Sequence, residues 1–171
     1  ATTSWATATA AESSPAAPQH VRQLDLIHFS HTDYGFTDHP AVCRDLQRRY
    51  LDIALDTAEA TRHRPEPARF HWTAETTVAV LDWWEAASPA RRKAFVRAVR
   101  DGQLEVSALP INNTPYLNHD QWEVMTHWLP EPLWRQLQPR TAVQNDVNGF
   151  PRAGAKALLD FFRRRDASGA P

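Results

Sequence analysis

The sequence predicts an α/β fold with about four strand–helix units, arranged as a partial (β/α) barrel. Short apolar runs of strand length occur four times, and a segment of helical character follows each of them. Strands that alternate with helices pair in parallel through crossover connections, which makes a parallel sheet the expected centre of the fold. In such sheets the chemistry is carried at the carboxyl ends of the strands, so candidate site residues are expected there.

The predicted elements follow an N-terminal tail. Residues 1–20 are almost wholly Ala, Thr, Ser and Pro without apolar periodicity, which predicts disorder, and residues 21–171 are expected to fold as one region. Pro40, Ser88 with Pro89, and Pro151 are typical of helix starts. Strands are predicted at 23–30, 68–75, 104–111 and 141–146, and helices from Pro40 to about Ala58 and at 76–87, 90–101, 119–129 and 151–164.

Composition excludes several classes of function. The formal net charge is −1 and Lys and Arg form no long run, so neither nucleic acid nor an anionic membrane is an expected partner. No apolar run approaches the roughly 20 residues of a membrane-spanning helix. The single cysteine, Cys43, excludes an internal disulfide and a cysteine-built zinc finger. Any metal must therefore be held by histidine and carboxylate ligands.

Two predicted strand ends carry residues that suit a metal ion. The first ends at His31-Thr32-Asp33, and residues two apart in extended backbone project to the same side. An imidazole and a carboxylate on the same side are the kinds of ligand that catalytic zinc takes. The same residues also suit hydrogen bonding in a loop. The fourth ends at Asp146, a further candidate ligand whose sequence context, DVNGFP, also fits an ordinary turn.

The other two strand ends carry candidate substrate-binding residues. Glu75 follows the second predicted strand and could contact substrate or favour the start of the next helix. Asn112 and Asn113 follow the third, where they could donate to hydroxyl groups or cap the following turn.

Four blocks of the sequence resemble a known family in their order and spacing. SHTDYGF, FHWTAETTVAVLDWW, VRDGQLEVSALPINNTPY and AVQNDVNGFP resemble the N-terminal catalytic domain of glycoside hydrolase family 38, the zinc-dependent α-mannosidases. The resemblance spans residues 24–159 and implies the N-terminal part of a seven-stranded barrel of the glycoside hydrolase/deacetylase type. The chain has Phe29 where a further histidine is common, and Tyr34 and Phe36 where Pro or Arg and Trp are common, which is typical of a divergent branch.

The resemblance implies zinc-dependent, retaining hydrolysis of glycosidic bonds in a carbohydrate substrate. His31, Asp33 and Asp146 would then be zinc ligands, and Asp146 would also be the nucleophile. The family's fourth ligand and its acid/base carboxylate have no counterpart here, so the isolated chain is expected to be an inactive fragment. A metal-dependent sugar deacetylase and a non-catalytic carbohydrate-binding remnant are the alternative hypotheses. The positions implied to lie near substrate are Glu75, Asn112 and Asn113.

Overall fold

The computed structural model describes residues 23–112 and 116–169, so the predicted tail lies outside the described residues. A short 3-10 turn, Glu66–Ala68, precedes the first strand. The remaining elements, in chain order, are α1 (Pro40–Thr61), β1 (Trp72–Ala74), α2 (Thr77–Ala86), α3 (Pro89–Arg100), β2 (Leu104–Val106), α4 (His119–Thr126), α5 (Glu131–Leu137) and α6 (Arg152–Ala167).

The predicted partial (β/α) barrel is wrong. The described residues are mostly helical, and the strands they contain are two segments of three residues each. β1 and β2 pair in parallel, with Trp72 opposite Leu104 and Ala74 opposite Val106, and α2 and α3 connect them. Two three-residue strands form a small sheet between helices, far short of the strand number that a barrel requires.

The first predicted strand, 23–30, is an extended segment with one backbone hydrogen bond to β1, from Thr73 N to His28 O at 2.8 Å. Its apolar side chains are not buried: Leu24, Leu26 and Ile27 are 76%, 72% and 70% exposed. An apolar run of this length predicts a buried strand, but no described element covers it. Without a ladder of backbone bonds the segment is not a strand.

The fourth predicted strand, 141–146, is also irregular. Ala108 N donates to Thr141 O at 2.8 Å, but the next contact is from Val143 N to the Ser107 hydroxyl at 2.9 Å. The Ser107 hydroxyl thus accepts the hydrogen bond that a backbone carbonyl would accept in a regular β-ladder. The chain then bends at Asp146, whose φ is +50°, and this bend ends the extended run.

Most of the predicted helices are confirmed, and their caps explain their starts. The Ser88 hydroxyl accepts from Arg91 N at 3.3 Å at the start of α3, and Asn118 and Gln121 form a capping box at the start of α4. The short helix α5 was not predicted. The three- to five-residue spacing of Val42, Ile53 and other apolar residues in α1 predicts one buried face, and this prediction is wrong in part because Val42 and Ile53 are exposed. The buried residues of α1 are instead Cys43, Gln47, Leu51, Ala54, Leu55 and Ala58.

The core has two parts. The larger lies among α1, α2, α3, α5 and the two strands, where the rings of Trp83 and Phe95 lie 4.9 Å apart. The smaller lies between α4 and α6 around Trp122. Gly154 of α6 allows this approach, because a Cβ atom there would lie 2.9 Å from the Trp122 ring. Among the described helices, none has the length and apolar character to span a membrane.

Candidate metal centre

Three residues predicted as metal ligands lie together although more than a hundred positions separate two of them in sequence. His31, Asp33 and Asp146 each offer one ligand atom, and these atoms all lie within 4.8 Å of one another. His31 Nε2 lies 3.7 Å from Asp33 Oδ1 and 3.5 Å from Asp146 Oδ2. The fold therefore brings the His-x-Asp pair and the distant aspartate to one point.

Local backbone conformation places these ligands. His31 and Asp33 lie between the extended segment 23–30 and α1, and Gly35 turns the chain toward α1 with a φ of +100° that favours glycine. Asp146 has a left-handed backbone conformation, which Asp tolerates better than most residues. Residues held in this sparsely populated backbone region are often found at functional sites.

The ligand atoms fit a divalent cation such as zinc. Tetrahedral ligands about 2 Å from a zinc ion lie roughly 3.3 Å apart. The separations of 3.5 and 3.7 Å are close to this value. Three protein ligands also leave a coordination position for water or substrate, as in catalytic zinc sites. The residue types and these two separations are compatible with the metal that the resemblance implies.

Glu75 lies beside His31, with 4% of its side chain exposed. Its Oε1 accepts a hydrogen bond from His31 Nδ1 at 2.8 Å and another from Asn112 Nδ2 at 2.9 Å. Asn112 in turn accepts from Asn145 N at 3.0 Å through its Oδ1. These hydrogen bonds link the ends of the first three predicted strands, at His31, Glu75 and Asn112, to Asn145 in the segment that follows α5.

The neighbouring carboxylates change the pKa of His31. Partial burial lowers it, but the hydrogen bond and charge of Glu75, together with the charges of Asp33 and Asp146, outweigh burial and raise the pKa above its ordinary value. A site with three carboxylates around one imidazole attracts positive charge, whether a proton or a metal ion supplies it.

A cavity of about 510 Å³ adjoins the centre and was not foreseen from the sequence. Its lining includes Tyr34 and Arg44, and Arg44 binds Asp82 of α2 through two hydrogen bonds at 2.7 and 3.0 Å. Burial, with the charge of Asp82, raises the pKa of Tyr34 to about 12. Arg44 and Asp82 lie on different helices, so no local spacing in the sequence signals their pairing.

Two further residues complete the account of the predicted site. Asn113 lies outside the described residues, and its role in substrate binding stays a prediction. His39, which is close to the predicted ligands in sequence, caps α1 by accepting from Ala41 N at 3.3 Å.

The comparisons with known proteins do not assign this site to a family. No protein-family profile matches the chain, and the searches of curated proteins and of solved structures find no match.

Proposed function

We propose that the protein binds a divalent cation, zinc in the first place, through His31, Asp33 and Asp146, and that this centre serves hydrolysis of glycosidic bonds. The metal-binding step is supported by geometry, and the choice of glycosides rests on the sequence resemblance.

One observation carries the proposal. The Nε2 atom of His31 is shielded from solvent and has no hydrogen-bond partner among the described residues, yet it faces one oxygen atom of Asp33 at 3.7 Å and one of Asp146 at 3.5 Å. Buried polar atoms are nearly always satisfied, so an unsatisfied one requires an explanation. A cation between these three groups supplies it, because the imidazole nitrogen and both carboxylates would then share one positive partner.

The chemistry follows from the exposure of the three ligands. A bound zinc ion supplies positive charge and an open coordination position that accepts sugar hydroxyls. Asp146, with 72% of its side chain exposed, is the ligand most accessible to substrate and is the proposed nucleophile. The cavity lining described contains two carboxylates, Asp33 and Glu75, and both are already engaged in this cluster. Protonation of the leaving group thus lacks a dedicated acid there, and general acid catalysis contributes about 10²–10⁴-fold. The isolated chain is therefore expected to be inactive on glycosides whose leaving group needs protonation, and slow on aryl glycosides, whose leaving group does not.

Metal content tests the first step. Wild-type protein dialysed against zinc and then against buffer should retain one zinc ion per chain, and His31→Ala and Asp33→Ala should retain almost none. Asp101→Asn is the matched control, because Asp101 is an exposed carboxylate at the opposite end of the sheet. Unchanged metal content in both site variants would refute the assignment.

Product analysis tests the second step. Incubation with aryl glycosides should release the aryl alcohol slowly, and His31→Ala should abolish the release. If acetylated sugars instead lose acetate while glycosides stay intact, the centre is a deacetylase. Zinc-dependent sugar binding without either product would identify a carbohydrate-binding site.

A further inference from the structure

Glu75 forms its hydrogen bonds with other side chains of the protein, which indicates a role other than contact with substrate. With 4% of its side chain exposed, Glu75 directs Oε1 at His31 Nδ1 and at Asn112 Nδ2. An ionised carboxylate can only accept hydrogen bonds, so each of these nitrogens must donate. The orientation of both partners is therefore decided by one buried group.

The bond to Glu75 fixes which nitrogen of His31 is free. When His31 is neutral and Nδ1 carries its hydrogen, Nε2 has a lone pair and no hydrogen. That lone pair faces the oxygen atoms of Asp33 and Asp146, which are also acceptors. Three acceptors directed at one point repel one another unless a cation lies between them. The hydrogen bond to Glu75 thus prepares Nε2 for a positive partner.

Asn112 links Glu75 to the turn that carries Asp146, the third proposed ligand. Its Nδ2 donates to Glu75, which leaves Oδ1 to accept from Asn145 N at 3.0 Å. Asn145 directly precedes Asp146, whose φ of +50° turns the backbone at this point. A buried carboxylate, one amide side chain and one backbone N–H therefore connect His31 to the turn that carries Asp146.

We propose that Glu75 is a positioning residue that holds His31 with Nε2 free for a metal ion and, through Asn112, holds the turn that presents Asp146. The effect on zinc affinity rests on the proposed metal centre, whereas the effect on the His31 ring does not. Outer carboxylates that orient a metal-bound histidine typically change metal affinity about 10–100-fold when they are removed.

The state of the His31 ring can be measured without any metal. Long-range ¹H–¹⁵N NMR of the metal-free wild-type protein, at a pH above the titration of His31, should show hydrogen on Nδ1. In Glu75→Leu this preference should be lost, and Nε2 should carry hydrogen. Glu75→Gln retains an acceptor of the same size, and it should keep hydrogen on Nδ1. Hydrogen on Nε2 in the wild-type protein, or an unchanged ring in Glu75→Leu, would overturn the proposal.

Zinc affinity, measured by competition with a chromophoric chelator, is the second readout. Glu75→Leu should bind zinc about 10–100-fold more weakly than the wild-type protein, and Glu75→Gln should recover part of this loss. Glu105→Gln is the matched control, since Glu105 of β2 accepts from Thr141 Oγ1 at 2.8 Å and has no described contact with His31. Equal affinity in wild type and both Glu75 variants would overturn the positioning role while leaving the metal centre intact. Absence of zinc binding in the wild type, with the ring behaving as expected, would refute the metal centre and leave the positioning of His31 supported.

Discussion

Glu75 and Gln103 are buried polar residues at opposite ends of the same small sheet, and their partners differ in kind. Gln103, 1% exposed, donates from Nε2 mainly to main-chain carbonyls, Ala58 O at 3.0 Å and Phe70 O at 3.3 Å, and its one side-chain partner among the described residues is the Thr61 hydroxyl at 3.4 Å. Its own backbone carbonyl accepts from Trp72 N. Glu75 instead contacts the side chains of His31 and Asn112. Burial alone therefore does not distinguish a structural polar group from a functional one.

The two ends of the sheet also differ in whether the polar side-chain atoms there have hydrogen-bond partners. The described partners of Gln103 join the end of α1 to the start of β1, and the Thr61 hydroxyl there also accepts from Phe70 N at 3.0 Å. At the Glu75 end, His31 Nε2 has no hydrogen-bond partner among the described residues and faces the carboxylates of Asp33 and Asp146. The Gln103 end therefore joins secondary-structure elements, whereas the Glu75 end carries the proposed metal ligands.

The largest effect on stability is expected from Gln103→Leu. The substitution leaves the buried carbonyl of Ala58 and the partly buried carbonyl of Phe70 without this donor, which should lower the free energy of unfolding by about 1–3 kcal/mol. Urea denaturation measures the change, and zinc affinity should stay at the wild-type value. Gln136→Leu is the control, because Gln136 is exposed on α5 and its loss should change stability by less than about 0.5 kcal/mol. A Gln103→Leu variant with the wild-type free energy of unfolding would contradict the structural role assigned to Gln103.

A smaller effect is expected at the exposed carboxylate of Glu131. Hydrogen bonds from Arg165 and Arg135 lower the pKa of Glu131 to about 2. A lowered pKa stabilises the fold above the ordinary pKa of the carboxyl group, and this contribution is lost as pH falls toward 2. Glu131→Gln should therefore be less stable than wild type near pH 7, by less than about 1 kcal/mol because the pair is half exposed.

Thermal unfolding across pH checks this prediction for Glu131. The difference between wild type and Glu131→Gln should be constant above about pH 5 and should shrink between pH 4.5 and 2. A difference that grows in acid would contradict the sign of the pKa change. Unlike substitutions at Glu75, this one should leave zinc binding unaltered.

The helices were more predictable than the sheet because their signals are local. Ser88 and Pro89 specify the start of α3 within the segment itself. Burial of 23–30 depends instead on whether another element covers it, which the apolar run of Leu24, Leu26 and Ile27 does not encode. The strand prediction failed there for this reason.

The candidate site was predictable in its ligands but not in its supporting contacts. Spacing marked His31, Asp33 and Asp146 only as candidate ligands, the family resemblance implied them as a set, and the structure brings the three together. The link from Glu75 through Asn112 to Asn145 joins three distant segments. Such a link depends on how the segments pack and has no signature in any one of them.

The zinc-dependent shift in thermal unfolding tests most directly the claim that one end of the sheet binds metal and the other supports the fold. A ligand that binds the folded state raises its unfolding temperature. Zinc should therefore raise the unfolding temperature of the wild type and of Gln103→Leu by similar amounts. It should have almost no effect on Asp146→Asn, a variant that keeps the left-handed turn and loses the charge. An equal zinc shift in wild type and Asp146→Asn would contradict the account.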